Sequence, residues 1–319
     1  MAGVPVGSST QNPGLLHQTS AIYFRKAALN RLMPRLYFYQ LGFKITMPRN
    51  NGKTMQMFRV NLPGANVIPA AEGVSPNPVP QSSYPITAVL EQYSDYMDSS
   101  TFYNETDINA RGTARQMVED LSFRAALSLD TIVRAELDSN TAYTVPTIGQ
   151  NFTAADIKSE VSIMAGSNIK PYDNNDWRLV IHAYVEYDLK SDNTAGGFID
   201  TMKYTQGAKV LNGEIGKIGG ARVMVTTNVN VTGSAPNALY SSYLFGYQSF
   251  AVIPLEGSAP SEVTDPQNQQ FKVTVVNPKV GVGNETGEIG TIVSYRFAMA
   301  VKVTDPQRMR IILCDASLV

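Results

Sequence analysis

Enzymes most often rely on histidine, cysteine or paired carboxylates, and this sequence offers few of the first two. Its 319 residues include two histidines, His17 and His182, and one cysteine, Cys314. His182 and Cys314 lie in the apolar runs WRLVIHA and IILC, which indicates a hydrogen-bonded core histidine and a buried, inert thiol. A single cysteine also excludes an intramolecular disulfide and a cysteine-based zinc or iron–sulfur site.

Other patterns that bind cofactors or activate nucleophiles are weak. Glycines cluster at 216–220 and 281–283, but neither cluster joins a strand to a helix, so both are interpreted as turns. No nucleophile-elbow or phosphate-loop sequence occurs. The carboxylate pair Glu119–Asp120 is expected on the solvated face of a helix. These features favour a structural protein with no metal or cofactor; an enzyme with an unrecognised carboxylate site is the alternative from another class.

The elements that would carry any site begin with a long helix. Residues 106–140 repeat apolar side chains at three- and four-residue spacing. About 30 residues at ~1.5 Å each span roughly 45 Å, which exceeds an average globular helix and predicts a spine. Beyond it, a helix over 153–165 capped by Thr153, a strand over 177–183 and a helix over 183–191 mix without a β–α–β repeat, which favours an α+β fold.

The segment before this helix, 44–100, has no core of its own. Strand-like runs at 44–47 and 54–62 flank Asn51–Gly52, a pair that suits a hairpin turn. Repeated prolines between 63 and 85 exclude a helix or central strand there, and Ile86–Met97 is strand-like again. An extended, apolar segment without a core predicts packing against another molecule.

Charge is unevenly distributed along the chain. Residues 1–71 hold eight of the 26 basic residues and none of the 27 acidic ones. Such a segment could meet DNA, lie across the acidic surface of a neighbouring copy, or be a solvated tail. Its apolar residues favour the neighbouring copy. A short helix is predicted over 19–34, with an apolar stripe at Ile22, Ala28, Leu29 and Leu32, and it needs a surface elsewhere to rest on.

The order of basic arm, extended loop, spine helix and mixed domain resembles the major capsid proteins of tailed bacteriophages, whose fold was first described for the Hong Kong 97 coat protein. Individual strings are similar to the coat family of N4-like phages. They are FRKAAL at 24–29, GKT at 52–54 followed by Phe58–Arg59, EGV at 72–74 and LEQYSDY at 90–96. GEIGKI at 213–218, with Arg222–Val223, resembles a strand pair that is widespread in these coats. The similarity covers nearly the whole chain.

The resemblance implies an α+β, Hong Kong 97-type fold with four parts. They would be an N-terminal arm (1–43), an extended β-loop (44–100), a peripheral domain (101–150 and about 280–304, with the spine helix at 106–140) and an axial domain (151–279 and about 305–319). Implied extended-loop contacts between subunits are Lys44, Lys53, Arg59, Glu72 and Gly73. Implied arm contacts to neighbours or DNA are Arg25, Lys26, Arg31 and Arg35.

The implied function is non-enzymatic. Copies would self-assemble as pentamers and hexamers into the icosahedral head of a tailed phage, formed in the host cytoplasm and enclosing double-stranded DNA without sequence specificity. Expected partners are portal and scaffolding proteins, with decoration proteins as an open option. No membrane partner is expected, since the sequence shows neither a signal peptide nor an apolar run of about 18 residues.

Some coats of this fold join an extended-loop lysine covalently to a neighbour. Lys44 and Lys53 lie in the corresponding segment, but nothing else supports a bond, so a non-covalent role is predicted. Two alternatives remain open. An encapsulin-type nanocompartment shell keeps the fold, although the basic arm argues against it. A soluble DNA-binding module is disfavoured by a net charge of −1.

Overall fold

The computed structural model describes residues 36–60, 72–73, 80, 82–100, 110–140, 144–172, 176–192, 214–234, 238–256, 272–276 and 289–317. Its helices are α1 (Phe38–Leu41), α2 (Ala110–Asp138), α3 (Ala154–Gly166), α4 (Ala183–Ser191) and a 3₁₀ turn (Pro306–Arg308). The predicted helix over 19–34 lies outside the described residues, as do the arm residues Arg25, Lys26, Arg31 and Arg35.

The described strands alternate with these helices without a β–α–β repeat, which confirms the predicted α+β class. In chain order they are β1 (Phe43–Lys44), β2 (Thr54–Val60), β3 (Ser83–Val89), β4 (Glu91–Ser100), β5 (Thr144–Asn151), β6 (Trp177–Ile181), β7 (Glu214–Ile218), β8 (Ala221–Val225), β9 (Val231–Thr232), β10 (Leu239–Phe245), β11 (Phe250–Pro254), β12 (Lys272–Val276), β13 (Ile289–Val303) and β14 (Met309–Asp315).

The predicted spine helix is confirmed as α2, a helix of 29 residues. Its apolar positions recur at three- and four-residue spacing, so they form one face, and Leu121, Ala125 and Leu129 on that face are buried. No described helix combines the length and apolarity that a membrane span requires.

A five-stranded sheet lies against α2. Its longest strand, β13, pairs antiparallel with β4 on one side and with β11 and β12 on the other, and β1 joins β11 in parallel. Tyr93 of β4 stacks on Phe297 of β13 with ring centroids 5.4 Å apart. Arg124 of α2 pairs with Asp95 of β4 at 2.7 Å, so the helix and the sheet edge are also joined by charge.

A seven-stranded sheet holds the second half of the chain, in the order β5–β14–β10–β6–β8–β7, with β9 beside β10. Its central strands β6 and β10 are almost entirely buried. Ile157 of α3 and Leu189 of α4 lie in the same apolar core as the face of α2. One continuous core therefore connects both sheets and the spine helix.

The strand pairing before α2 differs from the sequence prediction. The predicted hairpin between 44–47 and 54–62 is wrong, because β1 pairs with β11 and β2 pairs with β3. The Asn51–Gly52 region does turn, with positive φ at Asn50 (60°) and Gly52 (82°), but it redirects the chain from one sheet to another.

The single strand predicted over 86–97 is also divided. It breaks at Leu90 into β3 of the hairpin and β4 of the five-stranded sheet. β4 alternates: Tyr93 and Met97 pack against the core, whereas Tyr96 is exposed. Residues 91–100 thus belong to the body of the molecule, although the predicted extended loop of 44–100 included them.

Candidate intersubunit surfaces

The β2–β3 hairpin presents three large apolar side chains to solvent on one of its faces. Strand alternation and the pairing of Phe58 with Pro85 place Phe58, Val60 and Val89 on one face. Phe58 is 64% exposed and Val89 is 56% exposed. None of these three side chains belongs to a core cluster of the described residues. A two-stranded ribbon has no core of its own, so its open face is suited to packing against another molecule.

The opposite face of the hairpin rests on the body of its own chain. Met55, Met57 and Ala88 pack against a small apolar cluster formed by Met47, Ala251, Ile253 and Ala300. Met47 is part of this cluster because its backbone N–H donates to Pro254 O at 2.9 Å, which holds the chain after β1 beside β11.

Arg59 fastens the far end of the hairpin. Its guanidinium lies 3.0 Å from Asp305, and the same carboxylate accepts from Arg308 Nε and from the Gln307 N–H, both at 3.1 Å. Asp305 is almost fully buried, so this pairing is shielded from solvent better than a surface ion pair. The described contact of Arg59 is therefore within its own chain.

The five loop residues singled out by the sequence do not form one site. Lys44 lies in β1 with its ammonium 4.9 Å from the centroid of the Tyr39 ring, and burial lowers the pKa of Lys44. Lys53 is exposed just before β2, and its carbonyl accepts from the Leu90 N–H at 2.8 Å. Glu72 and Gly73 form an exposed turn, and a φ of 79° at Gly73 suits glycine.

A second surface lies where the N-terminal arm joins the body. The buried carboxylate of Asp130, in the C-terminal third of α2, accepts from the Tyr37 N–H at 2.7 Å and the Tyr39 N–H at 3.1 Å. Burial raises the pKa of Asp130 to about 6, although backbone hydrogen bonds from residues 37–39 oppose this. Asp130 thus fixes the point at which the arm leaves the spine helix.

This environment predicts a pH-dependent stability. Asp130 has a pKa of about 6 in the folded chain, so it binds its proton more tightly there than an aspartate with the ordinary pKa of 3.8 does. The contribution of Asp130 is therefore complete below about pH 3 and is lost as the pH rises through 6, by about 3 kcal/mol. We expect the free energy of unfolding of the native chain, minus that of Asp130→Asn, to fall by this amount between pH 3 and 7. Urea titrations at several pH values measure it, and a difference independent of pH would contradict the assignment.

A polar network joins the C-terminal end of α2 to the seven-stranded sheet. The Tyr243 hydroxyl donates to Asp138 at 2.5 Å, and Arg134 donates to Asn228 Oδ1 at 2.9 Å and to Val229 O at 3.1 Å. Burial raises the pKa of Asp138, opposed by Tyr243 and Arg134. The network fixes the spine helix relative to the sheet.

The residues first considered for chemistry have structural roles. His182 Nδ1 accepts from the Tyr184 N–H at 3.1 Å and so caps α4, and burial lowers the pKa of His182, which leaves the ring neutral at pH 7. The prediction that Cys314 is buried is confirmed, and burial raises the pKa of its thiol to about 12. His182 therefore lies at the start of α4, with its ring against Tyr184 and Tyr240, and not at the core position that the sequence predicted.

Comparison with known proteins identifies the architecture. No protein-family model and no curated protein matches the sequence. The capsid structure of Cyanophage P-SCSP1u matches 88% of this chain and 89% of its own at 13% identity, with a TM-score of 0.60. The Ralstonia phage GP4 capsid matches 89% and 92% at 11% identity, with a TM-score of 0.61.

A third solved structure extends the match along the chain. The capsid of the Helicobacter pylori bacteriophage KHP30 matches 98% of this chain and 95% of its own at 11% identity, with a TM-score of 0.60. Identities this low establish the arrangement of helices and strands rather than a close relationship. Together with the spine helix, two sheets and hairpin described above, they show that the chain has the fold of these phage capsid proteins.

Proposed function

We propose that this chain is a major capsid protein, copies of which self-assemble as pentamers and hexamers into the icosahedral head of a tailed phage. The observation that carries the proposal is the exposed apolar face of the β2–β3 hairpin, on a chain whose fold matches phage capsid proteins along most of its length. A soluble monomer would gain nothing from this face, whereas a neighbouring copy would bury it.

In this proposal the domains follow the two sheets. The five-stranded sheet with α2 forms the peripheral domain, and the seven-stranded sheet with α3 and α4 forms the axial domain. This arrangement assigns β11 and β12 to the peripheral domain and β5 to the axial domain, because each pairs with strands of that sheet. The sequence-based boundaries had divided them otherwise.

The hairpin would lie over a neighbouring subunit, with Lys53, Glu72 and Gly73 at the edge of the contact. Each contact is small, but every subunit makes several at once, so closure of the shell strengthens all of them. The residues that precede the described structure would add further contacts, including those of Arg31 and Arg35 to neighbours or packaged DNA. Such DNA contacts would be non-specific, since phosphate contacts carry no sequence information.

Portal and scaffolding proteins, and in some heads decoration proteins, would complete the virion, with assembly in the host cytoplasm. This part of the proposal rests on the likeness of fold alone. An encapsulin-type shell is the alternative that shares the fold, and the contents of purified particles distinguish the two: DNA in a phage head, a cargo protein in a nanocompartment.

The test of the proposed function is the assembly state of the purified chain. Sedimentation and electron microscopy of the concentrated protein should show closed shells, or tubes built from the same contacts. A chain that remains monomeric at high concentration, with and without its phage's other head proteins, would contradict the proposal. Regular shells from the chain alone would show that a separate scaffolding protein is not required.

A further inference from the structure

Three methionines lie where the β2–β3 hairpin rests on the body of its own chain. Met55 and Met57 are two residues apart in β2, so strand alternation places both on the underside of the hairpin, and both are half-buried. Met47, which follows β1, is only 1% exposed. Met47 is a buried member of the small apolar cluster beneath the hairpin, and Met55 and Met57 pack against that cluster. We call these three residues the methionine seat.

The methionine seat supplies much of the apolar volume under β2. The other buried members of the small cluster are Ala88, Ala251, Ile253 and Ala300. Alanine side chains fill little space, whereas the long, flexible methionine side chains adapt to irregular gaps between the hairpin and the sheet. Arg59 adds an ion pair to Asp305 farther along the same strand. A polar change in the seat would therefore weaken the apolar part of the attachment and leave this ion pair.

Methionine differs from the other apolar side chains because a peroxide can make it polar. The thioether sulfur attacks one oxygen of hydrogen peroxide, so that a sulfur–oxygen bond forms as the O–O bond breaks. The proton on the transferred oxygen passes to the leaving hydroxide, which departs as water; the sulfur is oxidised and the peroxide is reduced. The product, methionine sulfoxide, is polar and disrupts apolar contacts, and sulfoxide reductases convert it back to methionine.

Access to the sulfurs of the methionine seat is graded by burial. Met55 and Met57 are half-buried, so a molecule as small as hydrogen peroxide reaches them, whereas Met47 is shielded in the cluster. A sulfoxide on the underside of the hairpin would face the apolar side chains of the cluster, and burying an unpaired polar group is unfavourable. Lifting the hairpin hydrates the sulfoxide and, in the same movement, uncovers Met47. Met97 and Met224, which are also half-buried, pack against the main core instead.

We propose that Met55 and Met57 form a peroxide-sensitive modification site, and that their oxidation to the sulfoxide releases the β2–β3 hairpin from the body of its own chain. Within the two strands, the opposite face, with Phe58, Val60 and Val89, carries no methionine, so the modification acts on the underside alone. Oxidation thereby changes where the hairpin rests without changing the apolar surface that it offers. The proposal concerns a single copy, so it holds or fails independently of the proposed assembly.

The order of oxidation tests the proposal. Dilute, unassembled protein is treated with hydrogen peroxide for increasing times, and peptide mass mapping locates each sulfoxide. In the native chain, Met55 and Met57 should be oxidised first and Met47 later. The matched control is the double variant Met55→Leu with Met57→Leu, which keeps the size and apolarity of the seat. In this variant the oxidation of Met47 should slow by at least about tenfold. Equal rates at Met47 in the two proteins, or oxidation of Met47 before the other two, would overturn the proposal.

Proteolysis measures the release itself. Trypsin cleavage after Arg59, which is held by Asp305 in the docked hairpin, should accelerate by at least about tenfold after peroxide treatment of the native chain. Circular dichroism would verify that the body remains folded. The double leucine variant, treated identically, should be cleaved at the rate of untreated protein, although Met97 and Met224 remain available to the peroxide in both. An unchanged rate in the native chain, or an equal acceleration in the variant, would contradict release through the methionine seat.

Discussion

Replacing Phe58 by aspartate should leave the chain folded and abolish shell assembly. The side chain is 64% exposed and contacts no core cluster, so the free energy of unfolding should change by no more than about 0.5 kcal/mol. At a contact with a neighbouring copy, the substitution removes about 1.5–3 kcal/mol of apolar burial and adds the cost of desolvating a carboxylate. Each subunit repeats this loss, so electron microscopy should find no closed particles.

The matched control for this prediction is Phe58→Leu, which keeps an apolar side chain on the same face of the hairpin. Shells should form from this variant at a moderately higher protein concentration. Normal assembly of Phe58→Asp, at the concentration at which the native chain assembles, would show that the exposed face of the hairpin is not an intersubunit contact.

The largest loss of stability is expected from Tyr243→Ala. This fully buried ring packs edge-on against Phe38 of α1, 5.2 Å between centroids, and its hydroxyl reaches Asp138 of the spine helix. Removing it leaves a cavity between α1, α2 and β10 and takes away the hydroxyl hydrogen bond of the Asp138 carboxylate, which keeps Arg134 as its ion-pair partner. We expect a decrease of about 4–5 kcal/mol in the free energy of unfolding, measured by urea denaturation.

A smaller variant separates the two contributions. Tyr243→Phe keeps the packing and removes only the hydroxyl, so it should cost about 1–2 kcal/mol. If Tyr243→Ala and Tyr243→Phe were equally destabilising, the hydrogen bond to Asp138 would dominate and the packing of Tyr243 against Phe38 would not hold the spine helix to the sheet.

Local elements were predictable from the sequence because their signals are local. Thr153 was expected to cap a helix, and it forms a reciprocal capping box with Asp156 at the start of α3. The spine helix was predicted to within a few residues of its observed bounds, because its apolar period runs for many turns without proline. The helix over 183–191 agrees with α4 at both ends.

Strand partners were not predictable in the same way. β1 pairs with β11, more than 200 residues later, and no local pattern encodes such a partner. The turn at Asn51–Gly52 suggested a hairpin, but the neighbour that buries most apolar surface decided the pairing. Strands β10 and β11 are separated by only four residues, 246–249, yet they belong to two different sheets.

The partners of the charged residues at these surfaces could not be predicted from the sequence either. In the sequence, Asp130 follows Leu129 in the apolar repeat and looks like any polar residue of a helix. Its burial, and with it the need for hydrogen-bond partners, becomes evident only in the folded chain. Arg59 was expected to contact a neighbouring copy, but its visible partner, Asp305, lies 246 residues along the same chain. Tertiary contacts of this range depend on the whole fold.

The most direct measurement of the central proposal is a high-resolution electron-microscopy reconstruction of assembled particles, in which each hairpin is traced to the subunit that it touches. The proposal predicts that Phe58, Val60 and Val89 of one subunit are covered by a neighbouring subunit, while Met55 and Met57 still rest on their own. A reconstruction in which this apolar face remains in solvent, or is covered only by residues of its own chain, would contradict it.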